Sequence, residues 1–257
     1  MNKLIFLGTG SAAHLTRQLT SLCFVANEKA FLIDCGDGMG TMRNLVQAGI
    51  SVEQVNDVFL THKHADHIAG VPHYLFLKML EREQHVHVYG PKQAVAAART
   101  TSFLTHSLTV KCQDRIDFHP IRSGESIQFS GAQVVGTTVK HVPGYISFAY
   151  AITIGKTKVV FTGDMRPNNN FYTLAKDADI LIHECFGLAK NEAVIHAGHS
   201  TAKDAGEAAA RAGVRELILT HLPTRDFDID PTLLAEEAKK YFSREVIIAE
   251  DLMEVNL

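Results

Sequence analysis

The segment Thr61-His62-Lys63-His64-Ala65-Asp66-His67 constrains this chain more than any other. Four metal-competent side chains fall within six residues, directly after the apolar run Val58-Phe59-Leu60. His62 and His64 are two apart, so in an extended turn both can face one ion. Asp66 and His67 follow where a helix would begin, and from there they can reach a neighbouring ion. The loop after a buried strand is where α/β proteins place their chemistry. The bland alternative is a solvated turn with chance histidines. It explains a lone histidine well and His-x-His-x-Asp-His behind a strand poorly. One motif supplies too few ligands for two ions, so further ligands should stand at other strand ends.

The rest of the chain offers them. His141 closes the run 134–140 and precedes Pro143-Gly144. Asp164 closes Val159-Val160-Phe161-Thr162-Gly163, and His221 closes Leu217-Ile218-Leu219-Thr220. Packing alone does not account for three metal-competent residues placed immediately after apolar strands. A carboxylate such as Asp164 can bridge two cations. Zinc held by imidazole and carboxylate, with a position left open for water, is the usual hydrolytic arrangement.

Two more features lie between Asp164 and His221. His183-Glu184 follows the strand-like Ile180-Leu181-Ile182, and Gly198-His199-Ser200-Thr201 opens a helix over 201–212, with Ser200 or Thr201 as N-cap. His199 thus stands at a helix N-terminus, where backbone N–H groups favour anions. It could protonate a leaving group or bind a phosphate, and Glu184 could orient it. His183 reads as a buried, satisfied histidine and Cys185 as a small buried residue. Of the 14 histidines, seven (His62, His64, His67, His141, His183, His199 and His221) fall on strand-end or helix-start motifs. His14 lies in a loop that could face the site. His73, His85, His87, His106 and His119 read as decoration of helices, strands and turns. His196, three residues before His199, reads as an exposed loop residue.

Around these motifs the chain alternates strand and helix signals. Strand-length apolar runs occupy 4–7, 22–26, 30–33, 58–60 and 86–89. Helical patterns cover 39–48, stopped by Gly49, then 68–80, interrupted early by Pro72, and 92–103. The stretch 116–161 is strand-rich, with 133–139, 147–154 and 158–161 carrying β-branched and aromatic residues and Gly155 turning a hairpin. After that come strands at 180–182, 217–219 and 246–248 and helices at 201–212 and 231–242, the last with Asp230 as N-cap and Pro231 in its first turn. No linker, repeat or low-complexity block divides the chain. Two strand-and-helix halves predict two sheets packed face to face with helices outside, in one domain spanning 1–257.

Composition supports this reading. Of 257 residues 46% are hydrophobic and 21% charged, which excludes a disordered chain. With 25 Lys+Arg against 28 Asp+Glu the formal charge is −3, which argues against binding nucleic acid through a general basic surface. No apolar run is long enough for a membrane span, and four apolar residues after Lys3 are too few for a signal-peptide core. Cys23, Cys35, Cys112 and Cys185 show neither Cys-x-x-Cys nor dense spacing, as in a reduced cytoplasmic protein.

Taken together, the motifs resemble the metallo-β-lactamase superfamily, and most closely its ribonuclease Z branch of tRNA 3′-processing endonucleases. The similarity runs from Leu4-Ile5-Phe6-Leu7-Gly8-Thr9-Gly10 through Ile33-Asp34-Cys35-Gly36-Asp37-Gly38 to Leu219-Thr220-His221. His-x-His-x-Asp-His marks the superfamily. His-Glu together with Gly-His-Ser-Thr marks the ribonuclease Z-like branch. The resemblance implies an αββα sandwich holding two divalent ions. Zinc is the first choice, and manganese or iron is also compatible with these donors. It implies that His62, His64 and His141 bind one ion, that Asp66, His67 and His221 bind the other, and that Asp164 bridges. It makes Asp34 a structural residue near the site, Asp66 a proton acceptor, His199 the proton donor and Glu184 its partner. It also implies a homodimer.

One departure from the branch concerns substrate. Only 22 residues separate His141 from Asp164, and a plain hairpin fills them. Ribonuclease Z inserts its tRNA-gripping arm in this interval. The implied reaction is phosphodiester hydrolysis, with a hydroxide between the ions attacking phosphorus and His199 protonating the departing alkoxide. The substrate would be a tRNA precursor, another RNA end, or a small cyclic or alkyl phosphodiester. Two other classes compete. One is hydrolysis of a sulfate ester, lactone or thioester on the same metals. The other is a binding module with structural metal, which would need neither two ions nor an open position. A nonspecific RNA binder would need a basic stripe that the sequence does not show.

Overall fold

The computed structural model describes every residue except 1, 13, 81–83, 130, 196 and 224–228, so His196 lies outside the described residues. Among the described residues, fourteen strands form two seven-stranded sheets. The first sheet contains β1 (Lys3–Gly8), β2 (Ser21–Ala26), β3 (Lys29–Ile33), β4 (Val55–Phe59), β5 (Val86–Gly90), β6 (Ile116–Pro120) and β14 (Glu254–Asn256), in the order β14-β1-β2-β3-β4-β5-β6. The second contains β7 (Ser126–Phe129), β8 (Ala132–Val139), β9 (Ser147–Ile154), β10 (Thr157–Phe161), β11 (Ile180–Glu184), β12 (Glu216–Thr220) and β13 (Glu245–Ile248), in the order β13-β12-β11-β10-β9-β8-β7.

Most of these strands are apolar on both faces, and the packing shows why. In β1, Leu4 and Phe6 enter the layer between the sheets, where they meet Phe24, Phe31, Phe59, Phe148, Tyr150 and Phe161. Ile5 and Leu7 point the other way, toward helices α1 (Met39–Gln47), α3 (Val71–Leu80) and α4 (Lys92–Thr105). The outer face of the second sheet is covered in the same manner by α6 (Asn169–Ala175), α8 (Ala202–Ala212) and α9 (Pro231–Lys239). The result is four layers, αββα, as expected. Short helices α2 (Ala65–Ile68), α5 (Ser107–Lys111) and α7 (Glu192–Ile195) complete the inventory among the described residues, and none of the helices is long and apolar enough to cross a membrane.

The helix expected over 68–80 is two helices. Pro72 does not interrupt it but stands in the first turn of α3, where its missing N–H costs nothing. The break falls earlier, at Gly70. Its N–H donates to the Gly36 carbonyl at 3.0 Å, and a Cβ there would lie 1.8 Å from the Cys35 oxygen. The close approach seats the junction of α2 and α3 against the loop that follows β3. The helix at 201–212 starts after Thr201, which caps it in a box with Asp204, so Thr201 rather than Ser200 is the N-cap. The sequence reading missed β14, α5, α6 and α7, and gave β6 and β7 only as part of a strand-rich stretch. β14, α5 and α7 are too short for periodicity to register, and α6 rests on an Asn168 side-chain cap.

Strand direction places the site. β3 and β4 are parallel, as are β10, β11 and β12, and β8 runs with β10 because both pair antiparallel to β9. The carboxyl ends of β3, β4, β8, β10, β11 and β12 therefore open on one edge of the sandwich. The Phe148 N–H donates to the Thr61 carbonyl at 2.9 Å and the Tyr150 hydroxyl to the Leu60 carbonyl at 2.7 Å, which ties the two sheets together at that edge.

Candidate metal centre

The edge gathers the residues that the sequence singles out. One ligand atom from each of His62, His64, His141 and Asp164 lies within 4.8 Å of the others, and the same holds for Asp66, His67, Asp164 and His221. Asp164 belongs to both sets. Its Oδ1 lies 3.3 Å from His67 Nε2 and 3.3 Å from His221 Nε2. Its Oδ2 lies 3.6 Å from His62 Nε2 and 4.0 Å from His141 Nε2. The two oxygens of one carboxylate thus face two separate groups of imidazoles.

Hydrogen bonds behind the imidazoles decide which nitrogens are bare. His141 Nδ1–H donates to the Gly198 carbonyl at 2.7 Å, and His67 Nδ1–H donates to Asp34 Oδ2 at 2.7 Å. Thr61 Oγ1–H donates to Asp34 Oδ2 at 2.7 Å, which leaves that hydroxyl to accept from His62 Nδ1–H at 3.0 Å. The Nε2 lone pairs of His62, His67 and His141 are therefore directed inward. His62 Nε2 and His141 Nε2 stand 3.0 and 3.1 Å from His64 Nδ1. Between these three nitrogens there is at most one proton, and His67 Nε2 and Asp164 Oδ1 are buried with no hydrogen-bond partner. Converging, buried donors of imidazole and carboxylate type fit divalent cations.

The electrostatics show a tightly coupled cluster: burial opposes a charge on His67, yet Asp164, Asp66 and Asp34 hold it well above the ordinary histidine value. Burial opposes charge on Asp164, yet the neighbouring imidazoles of His221, His67 and His62 outweigh it and hold the carboxyl well below the usual range. Asp66 is lowered in the same way: burial works against it, and His67 and His221 prevail. His62, buried and crowded by other imidazoles, is pushed well below the ordinary histidine value.

Backbone strain accompanies the site. Asp34 and His221 hold φ of 58° and 50°, in the left-handed region that non-glycine residues seldom occupy. Asp34 is locked there by hydrogen bonds from Thr61 N–H and Thr61 Oγ1–H and by His67.

Beside the two groups stands a third. His199 Nδ1 lies 3.1 Å from Glu184 Oε2, and the Met165 N–H donates to Glu184 Oε1 at 2.6 Å. Burial works against a charge on His199, but Glu184, followed by Asp164 and Asp66, pushes its pKa up to about 9. The ring stacks on Phe186 at 4.4 Å and lies 4.9 Å from the His141 ring. His183 is fully buried, its Nδ1–H donates to the Glu184 carbonyl at 2.7 Å, and it belongs to neither group. Cys185 is buried and its thiol pushed up by burial, which does not suit a nucleophile.

Thr61 and Phe186 escaped the sequence reading. Phe186 carries a positional signal, since it follows a strand that ends in Glu184, whereas nothing local marks Thr61. Tyr145 stands beside the site, its ring 5.0 Å from that of His64, with Lys63 Nζ 4.0 Å above it.

A family model described as anti-Pycsar protein Apyc1 matches residues 2–207. The ribonuclease Z of Archaeoglobus fulgidus is 31% identical over 306 aligned positions, which take in 99% of this chain and 97% of the relative. That alignment is longer than the whole chain, so the relative contains stretches with no counterpart here. Among solved structures, the metallo-β-lactamase fold protein YhfI of Bacillus subtilis superposes with a TM-score of 0.83 at 26% identity, over 99% of this chain and 98% of that one. The short form of human tRNase Z shares the fold, with a TM-score of 0.77 at 24% identity over 98% of each chain.

Proposed function

The chain belongs to the ribonuclease Z-like branch of the metallo-β-lactamase superfamily and to the family described as anti-Pycsar protein Apyc1, and from that premise we propose that it is a metal-dependent phosphodiesterase with two ions in one site. The reading rests on one observation above the others: Asp164 presents one oxygen to each of two imidazole groups. His62, His64 and His141 would hold one ion, Asp66, His67 and His221 the other, with Asp164 between. Zinc is the ion we assign first; manganese or iron suits the same donors. Divalent metal at such a site supplies Lewis acidity toward phosphoryl oxygens and brings the pKa of water toward neutrality.

The chain's own groups do the rest. Asp66 stands against His67 and His221 and accepts the proton of the attacking water. His199 keeps a proton because Glu184 backs its Nδ1, and its Nε2 delivers that proton to the departing oxygen. The capping box of α8 already engages the Thr201 and Asp204 N–H groups, so phosphate recognition falls to His199 rather than to the helix terminus.

We favour a small phosphodiester over a folded tRNA. The interval from Asp164 back to His141 is filled by β9 and β10, and the net charge of −3 gives no general cationic footprint. A homodimer and a reducing, cytoplasmic setting belong to the same proposal, the second supported by four free cysteines.

The test is hydrolysis of bis(p-nitrophenyl) phosphate and of small cyclic phosphodiesters, beside a precursor tRNA, a sulfate ester, a lactone and a thioester. His199→Ala should lower kcat on the diesters by about 10²–10⁴ with metal content unchanged. A near wild-type rate in that variant would remove the proton-donor role, and faster turnover of the sulfate ester, lactone or thioester would replace the substrate class.

A further inference from the structure

Away from the strand ends, β5 and β6 carry a second gathering of metal-competent groups. The strands pair in parallel, with His87 opposite Asp117 and Tyr89 opposite His119. Side chains two apart on a strand share a face, so Asp117 and His119 stand together beside His87. His87 Nδ1 lies 3.2 Å from His119 Nε2 and 3.5 Å from Asp117 Oδ2. One ligand atom from each of the three falls within 4.8 Å of the others. None of the three belongs to the centre around Asp164.

The imidazoles are held in place. His119 stacks on Tyr89 at 4.8 Å, and Tyr89 on Phe59 at 4.7 Å. On the adjacent β4, Asp57 stands opposite His87 and accepts a hydrogen bond from the Tyr89 hydroxyl. Burial raises the Asp57 carboxyl and, with Asp57 beside it, pushes the Tyr89 phenol up to about 12. Two carboxylates and two imidazoles thus share one half-buried strip, with Lys29 the cation near Asp57.

A single shared proton would satisfy the contact between the two imidazoles. It would leave Asp117 facing a nitrogen already engaged. A divalent cation satisfies all three lone pairs at once. Separations near 3.3 Å are what tetrahedral ligands about 2.0–2.1 Å from an ion subtend.

We propose that His87, Asp117 and His119 form an accessory site for one zinc-type divalent cation that ties β6 to β5. Three protein ligands leave the fourth position to water. β6 ends its sheet, and an edge strand is held from one side only. A cation between the two strands gives that edge a second hold. The side chains of His87 and Asp117 are 34% and 49% exposed, so the ion can enter without opening the fold. The site is independent of the proposed reaction.

The protein is stripped with a chelator, reloaded with micromolar Zn²⁺ and dialysed. Zinc is then counted by mass spectrometry in wild type, His119→Ala and Asp117→Ala, and wild-type crystals are measured at the zinc absorption edge. Each variant should hold one zinc fewer than wild type. In the wild-type crystals anomalous density should appear between His87 and His119, apart from any peaks around Asp164. Equal zinc content in wild type and both variants, or no density at this position after reloading, would overturn the proposal. Asp117 is half exposed, so Asp117→Ala keeps the count interpretable if His119→Ala folds poorly.

Discussion

Asp34 acts at one remove from the proposed ion sites. Its carboxylate accepts from His67 Nδ1–H and from two groups of Thr61, and Thr61 in turn accepts from His62. One buried carboxylate therefore fixes the tautomer of a proposed ligand on each side of Asp164. Asp34→Asn would place an amide where two donors converge, and would release His67 to turn its proton inward. Metal affinity should fall by about 10–100-fold, as when a carboxylate behind a ligating histidine is lost. Competition with a chelator of known affinity measures it. Affinity equal to wild type would reduce Asp34 to a turn residue. The resemblance gave Asp34 a place near the site, but the linkage through Thr61 was not legible, because no sequence pattern records which hydroxyl meets which ring.

At the scale of elements, the site depends on strand ends meeting across two sheets. Gly163 makes this visible. It holds φ of 55° between β10 and Asp164, and a Cβ there would lie 2.9 Å from Thr61 Cβ and 3.0 Å from the Phe148 carbonyl. Gly163→Ala should destabilise the fold by more than about 1 kcal/mol, since both the conformation and the space oppose a side chain. It should also move Asp164 relative to His62 and lower metal affinity. Denaturant unfolding and chelator competition separate the two effects. Intact stability and affinity together would show the seam to be soft. The same geometry explains what could be read early. His141, Asp164 and His221 were legible because each follows a β-branched run long enough to register as a strand. The motif at residues 61–67 was legible because its spacing is local. His87, Asp117 and His119 were not, because their proximity arises from the pairing of β5 with β6 and each looks ordinary alone. Likewise the break at Gly70 depends on the Cys35 carbonyl, which lies 35 residues earlier in the chain and leaves no mark on helical periodicity.

For the molecule as a whole, the centre is where its two halves are joined. The first sheet contributes His62, His64, Asp66 and His67 after β4; the second contributes His141, Asp164 and His221 after β8, β10 and β12. Ions bound there would connect the halves in the folded state and have nothing comparable to bind in the unfolded chain. Ligand at a hundredfold excess over Kd stabilises by about 2.7 kcal/mol per independent site. For a domain of this size that corresponds to a rise in Tm of roughly 5–11 °C. Chelator-stripped protein should therefore unfold at a lower temperature than reloaded protein. In His221→Ala, which loses a proposed ligand contributed by the second sheet, the gap should shrink. His119→Ala separates the two kinds of site: it removes only the accessory ion between β5 and β6, so the larger part of the gap should survive in it. If stripping leaves Tm unchanged, the two sheets hold each other through the aromatic layer of Phe31, Phe59, Phe148 and Tyr150 alone, and the metals contribute chemistry without contributing to the fold.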